Sequence, residues 1–93
     1  MTDDPEVEAL RVEIDRIDQR LLQVLAERAA VVLRVGERKK LVGLAVHDPR
    51  REQALLERLV GQAPTPLDRE LVLAVFRTIV AECRRLEAGS PEG

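Results

Sequence analysis

VEALRVEIDRIDQRLLQVLAERAAVVLRV, residues 7–35, decides the fold. Its apolar residues recur every three or four positions: Val7, Leu10, Ile14, Ile17, Leu21, Val24, Val31 and Val35. That is the period of one face of an α-helix. The slot between Val24 and Val31 belongs to the same stripe, yet it holds Arg28. A guanidinium stays charged at any ordinary pH and is almost never fully buried unless paired. Arg28 therefore calls for an acidic partner, either a carboxylate elsewhere in the protein or an anionic ligand.

Upstream of the stretch, Asp3 or Asp4 can cap the helix, Pro5 suits its first turn, and Glu6 and Glu8 suit its dipole. Downstream, the periodicity runs to about Lys40, and LVGLAVHD reads as a loop around Gly43. Asp48-Pro49 signals a second helix, whose buried face carries Leu55, Leu56, Leu59 and Val60 and which ends near Gly61. APTP breaks the chain again. Asp68 starts a third helix bearing Leu71, Val72, Val75, Phe76, Ile79, Val80, Cys83 and Leu86. The expectation is an all-α chain forming a single domain over residues 1–93, with no strand pattern and no internal repeat. Its helices fall at about 5–41, 49–61 and 67–87, followed by a frayed tail, 88–93.

The first helix is too long for a compact monomer. About 36 residues at ~1.5 Å each span ~54 Å. A compact domain of this size has a radius of gyration of only ~12 Å. The helix must project, and its apolar stripe then needs cover, which a second copy of the chain supplies most cheaply. An intertwined antiparallel homodimer is predicted. The alternative is a helical hairpin bound to a different protein.

Composition narrows the function. Apolar content is 45%, as in folded globular chains. Phe76 is the only aromatic residue, which argues against a base-stacking nucleic-acid surface. The net charge of -2 argues against a general polyanion binder but leaves room for a local cationic pocket. One cysteine excludes an intramolecular disulfide, and with a single histidine it excludes the usual zinc sets. The stretch MTDDPEVEAL has no apolar signal core, and no window approaches the ~18 apolar residues of a membrane span. A cytoplasmic protein with no nucleic-acid or membrane partner is expected.

Several charged residues stand out. Arg28 and Lys39 are eleven residues apart, so they differ by only about 20° around a helix and lie ~16 Å apart along it. Both can face one elongated cavity. Arg11 lies seventeen residues before Arg28, roughly 25 Å along the same helix, so one chain cannot grip a small molecule with both. In an antiparallel dimer, Arg11 of one chain comes alongside Arg28 of the other, and three cations converge on a small dianion. Each has a plainer reading: Arg11 as a surface partner of Glu8 or Asp15, Lys39 as a cation suited to a helix C-terminus. Asp48 reads as an N-cap and Glu52 as a dipole-complementing acid, although either can also accept from a ligand hydroxyl, with Arg51 orienting them. Cys83 reads as a small core residue and Glu87 as a solvated acid paired with Arg84. His47 is a loop residue with no ligand or triad set around it. No nucleophile-base pair, phosphate loop or metal set is visible, so any chemistry uses positioning and electrostatics.

Taken together, these residues resemble the all-helical class of chorismate mutase. The matching pieces are IDRID and LLQVLAERAAVVLRVGERKK in the first helix, VHDPRREQALLERL in the second and VFRTIVAECRRLE in the third. Their order and spacing cover about Val7 to Glu87. The resemblance implies a domain-swapped dimer of three-helix chains whose two active sites each use both subunits. It implies rearrangement of chorismate to prephenate, on the route to phenylalanine and tyrosine, with no cofactor and no covalent intermediate. By resemblance, Arg28 and the other subunit's Arg11 bind the two carboxylates. Lys39 donates to the ether oxygen and touches a carboxylate. Glu52 and the backbone at Asp48 hold the ring hydroxyl, and Arg51 supports Asp48. Glu87 falls where the family has Gln or Glu facing the ether oxygen. Two departures follow. Cys83 stands where relatives often carry a hydroxyl that helps bind a carboxylate, and a thiol is a weaker donor. Glu87 must be protonated to donate to an oxygen gaining negative charge; burial favours that form and a nearby Lys39 opposes it.

Two competing functions share these features. An isochorismate-pyruvate lyase would have the same fold and similar cations. A non-catalytic helical regulatory or assembly module would need neither. A mutase activated by a partner enzyme of the same pathway lies between them, with the tail 88–93 as a contact.

Overall fold

The computed structural model describes residues 4–89. It contains three helices and, among the described residues, no strand: α1, Pro5–Val42; α2, Pro49–Gln62; and α3, Arg69–Glu87. Asp3 and the last four residues of the predicted frayed tail lie outside the described residues.

Each start is made by an aspartate. Asp4 accepts from the backbone N–H groups of Glu6 and Val7. Asp48 accepts from Arg51 N–H at 3.2 Å, with Pro49 at the first helical position. Asp68 accepts from Leu71 N–H at 2.9 Å. The first N–H groups of a helix have no internal partner, and a short side-chain oxygen supplies one. α3 begins two residues later than the spacing predicts. Leu67 is held in the preceding turn by a bond from its N–H to Pro64 O, and Asp68 is the cap rather than a helical residue.

α1 ends at a glycine. Gly43 has φ +76°, and Leu44 N–H reaches back to Lys39 O at 2.9 Å. This is a Schellman closure, which needs a left-handed residue and so favours glycine.

The chain divides into two compact units, one running to Val31 and one starting at Val32. In the second, α2 packs on α3. Leu56, Val72, Val80 and Cys83 form its buried core, together with Gly36 of α1. An exposed clamp spans the two helices. Arg69 donates from both terminal nitrogens to Glu57, at 3.2 and 2.9 Å. This bidentate bond holds the Glu57 carboxyl below the usual carboxylate range and the Arg69 guanidinium above its ordinary value.

The apolar stripe of α1 is open in the single chain. Leu10, Ile14, Ile17, Leu21, Val24, Val31 and Val35 are 43–58% exposed. No described helix is long and apolar enough to cross a membrane.

Candidate active site

The closure of α1 sets the first side chain of the site. Lys39 has its carbonyl fixed by Leu44, while its Nζ donates to Val46 O at 3.0 Å. The same Nζ lies 2.8 Å from Glu87 Oε2. The plain reading of Glu87 as a solvated acid beside Arg84 is therefore corrected: its side chain is only 9% exposed and its cation is Lys39. The pair is close in distance but not aligned as a hydrogen bond, so Glu87 Oε2 is buried with no donor. Oε2 instead meets the Lys39 ammonium as an ion pair.

Glu87 comes this close to α1 because residue 36 is glycine. A Cβ built on Gly36 would stand 2.7 Å from Glu87 Cγ and 3.2 Å from Glu87 O.

Glu52 anchors a second cluster. It sits in the first turn of α2, its N–H bonded to Asp48 O at 3.1 Å. Its Oε1 lies 3.5 Å from Arg84 Nη1 and 3.6 Å from His47 Nε2. His47, isolated in sequence, thus has a carboxylate neighbour, and Arg84 faces Glu52 rather than Glu87. Asp48 caps α2 by accepting from the backbone N–H of Arg51, and both residues are exposed. Cys83 is a free, buried thiol in the α2–α3 core.

The remaining two predicted residues belong to the first unit. Arg28 is half-buried, and its Nη1 is shut from solvent with no hydrogen-bond partner. Arg11 is exposed and pairs with Glu8 at 3.3 Å. A shallow apolar groove lined by Ile17, Arg20, Leu21 and Val24 opens on the stripe and holds none of the predicted site residues. No group of His, Cys, Asp and Glu among the described residues can hold a metal ion.

The described residues thus define an all-helical class of protein whose second unit pairs Lys39 with Glu87 and sets Arg84 and His47 beside Glu52. Comparison with known proteins gives the class a family. The chorismate mutase type II family model matches residues 10–88. The bifunctional chorismate mutase/prephenate dehydratase of Aquifex aeolicus is 36% identical over 90 residues, covering 88% of this chain and 24% of that protein. The chain therefore spans about a quarter of the length of the curated relatives it matches. A chorismate mutase structure from Thermus thermophilus superposes with a TM-score of 0.88 at 32% identity, covering 91% of this chain and 97% of that one. The Helicobacter pylori chorismate mutase in complex with prephenate gives 0.86 at 26% identity, covering 96% and 97%. The chain belongs to the chorismate mutase type II family, a family of isomerases.

Proposed function

We propose that residues 1–93 act as one mutase domain that rearranges chorismate to prephenate in the cytoplasm. The observation that supports this reading best is the pairing of Lys39 with the buried carboxyl of Glu87 at 2.8 Å. A one-molecule rearrangement requires a compact conformer and stabilisation of charge developing on the breaking ether oxygen. Lys39 donates to that oxygen, and Glu87, once protonated, donates beside it. Arg28, half-buried in the α1 stripe, takes one substrate carboxylate. The partner subunit's Arg11 takes the other. Glu52 and the backbone at Asp48 hold the ring hydroxyl, Arg51 braces Asp48, and the Cys83 thiol is a weak donor to a substrate carboxylate. The open stripe of α1 supports a homodimer with shared sites, since an uncovered face this apolar is costly in water. Fusion of relatives to prephenate dehydratase supports a pathway enzyme as a further partner.

Incubation with chorismate tests the reading, with prephenate the expected product. Release of pyruvate from isochorismate, without turnover of chorismate, would make the chain a lyase. If neither substrate reacts and chorismate does not raise the melting temperature, the chain is a non-catalytic module.

A further inference from the structure

Glu52 is approached by two basic side chains at a single oxygen. Arg84 Nη1 comes from α3 and His47 Nε2 from the loop before α2, and both address Oε1. At 3.5 and 3.6 Å, these are charge contacts longer than ordinary hydrogen bonds, so they turn the carboxylate without using up its lone pairs. The two cations differ in kind. His47 is a cation only when protonated, whereas Arg84 is charged at every working pH. Arg84 is also the better held, at 32% exposure against 53% for His47. It follows the buried Cys83 on α3, whose packing sets the rotation of that helix against α2.

We infer that Arg84 is a positioning residue for Glu52 and, through it, sets selectivity for substrates that carry the ring hydroxyl. This rests on the proposed role of Glu52 as the hydroxyl's acceptor. An ionised carboxylate only accepts, so it recognises a hydroxyl by where its lone pairs point. Arg84 fixes that direction across the α2–α3 interface. The hydroxyl is not the reacting group, and its contact is made equally in ground and transition states. Loss of its positioning therefore raises KM and leaves kcat.

The test uses the whole chain, chorismate, and a chorismate analogue with hydrogen in place of the ring hydroxyl. Wild type should favour chorismate in kcat/KM. Arg84→Met should raise KM for chorismate about three- to tenfold, as expected for a partly buried charge contact, with kcat within about twofold. It should leave the analogue's constants unchanged, and Arg84→Lys should recover most of the loss. Arg84→Met added to Glu52→Gln should have no further effect, because the two act as one unit. Equal losses on both substrates would make Arg84 merely structural and overturn the inference while the role of Glu52 stands. A wild type that does not discriminate between the substrates would overturn the role of Glu52 and the inference with it. Failure of wild type to turn over chorismate would do the same.

Discussion

Replacing Gly36 with alanine should damage a protein that simple helix propensity says it should improve. Glycine inside a helix costs about 1 kcal/mol relative to alanine, so Gly36→Ala begins with that gain. The added Cβ would stand 2.7 Å from Glu87 Cγ, about 0.7 Å inside the 3.4 Å at which ordinary van der Waals contact begins. Cγ lies in the middle of the Glu87 side chain, and the 3.2 Å approach to Glu87 O limits retreat of the backbone. Overpacking of this kind costs about 1–3 kcal/mol, so the net effect is about 0–2 kcal/mol of destabilisation. A domain of this size loses roughly 4–8 °C in Tm per kcal/mol. Activity should suffer more than stability. The Glu87 carboxyl must shift by a distance comparable to the overlap, and displacements near 1 Å cost up to about a hundredfold in turnover. The expected kcat loss is ten- to a hundredfold. Thermal melts at one fixed protein concentration and steady-state kinetics measure both effects. Glu87→Ala supplies the control, because it deletes the Cγ that clashes. In that background Gly36→Ala should be neutral or stabilising, a coupling of about 1–3 kcal/mol. A Gly36→Ala protein that melts above its parent with full activity would refute the reasoning, as would equal destabilisation in both backgrounds.

The other predictions concern the charges. Lys39→Ala should lower kcat by about a hundred- to a thousandfold, the usual cost of removing a donor to a developing anion, with helical content unchanged by circular dichroism; unchanged turnover would end the assigned mechanism. A carboxyl donates to the ether oxygen only when it carries a proton whereas an amide always can, so Glu87→Gln should at least match wild-type kcat/KM at neutral pH; a tenfold loss would count against this role. Glu57 titrates lower in the folded chain because Arg69 grips it, so its contribution to stability is present above the ordinary carboxylate range and is lost as pH falls through the folded value. Glu57→Gln should accordingly lower the urea midpoint at neutral pH and leave it unchanged well below the carboxylate range, and an equal drop at both would contradict the clamp. Arg11→Ala and Arg28→Ala chains, each nearly inactive alone, should recover about a quarter of wild-type activity on mixing, since random pairing makes half the dimers mixed and each has one intact site; no recovery under exchanging conditions would show that the two arginines do not serve one site.

Much of the fold is legible because helices announce their ends chemically. Asp4, Asp48 and Asp68 are recognisable caps, and the glycine after Val42 is a recognisable stop. Side-chain pairing across elements is less legible. Lys39 and Glu87 lie far apart in the chain, and only the family resemblance ties both to one substrate atom. The pairing of Arg84 with Glu52 has no signal in spacing. It depends on how α3 rotates against α2, and that rotation is set by Leu56, Val72, Val80 and Cys83. Gly36 did carry a signal. A lone glycine inside a strongly periodic helix usually has a packing reason, and here the reason is Glu87.

The state of the Lys39–Glu87 pair explains how a site of opposite charges can receive an anion. Lys39 donates its aligned hydrogen bond to Val46 O, so its position is fixed by the loop after α1 rather than by Glu87. Glu87 Oε2 is close to the ammonium but has no aligned donor. A substrate oxygen entering between them would displace a charge contact and not a formed hydrogen bond. Lys39 would turn a free N–H towards it without leaving the loop. The substrate then meets an ammonium whose place the fold has already fixed. Lys39→Ala should therefore weaken affinity for the product prephenate at least tenfold, as calorimetry would read it; unchanged affinity would mean that the anion does not enter between Lys39 and Glu87.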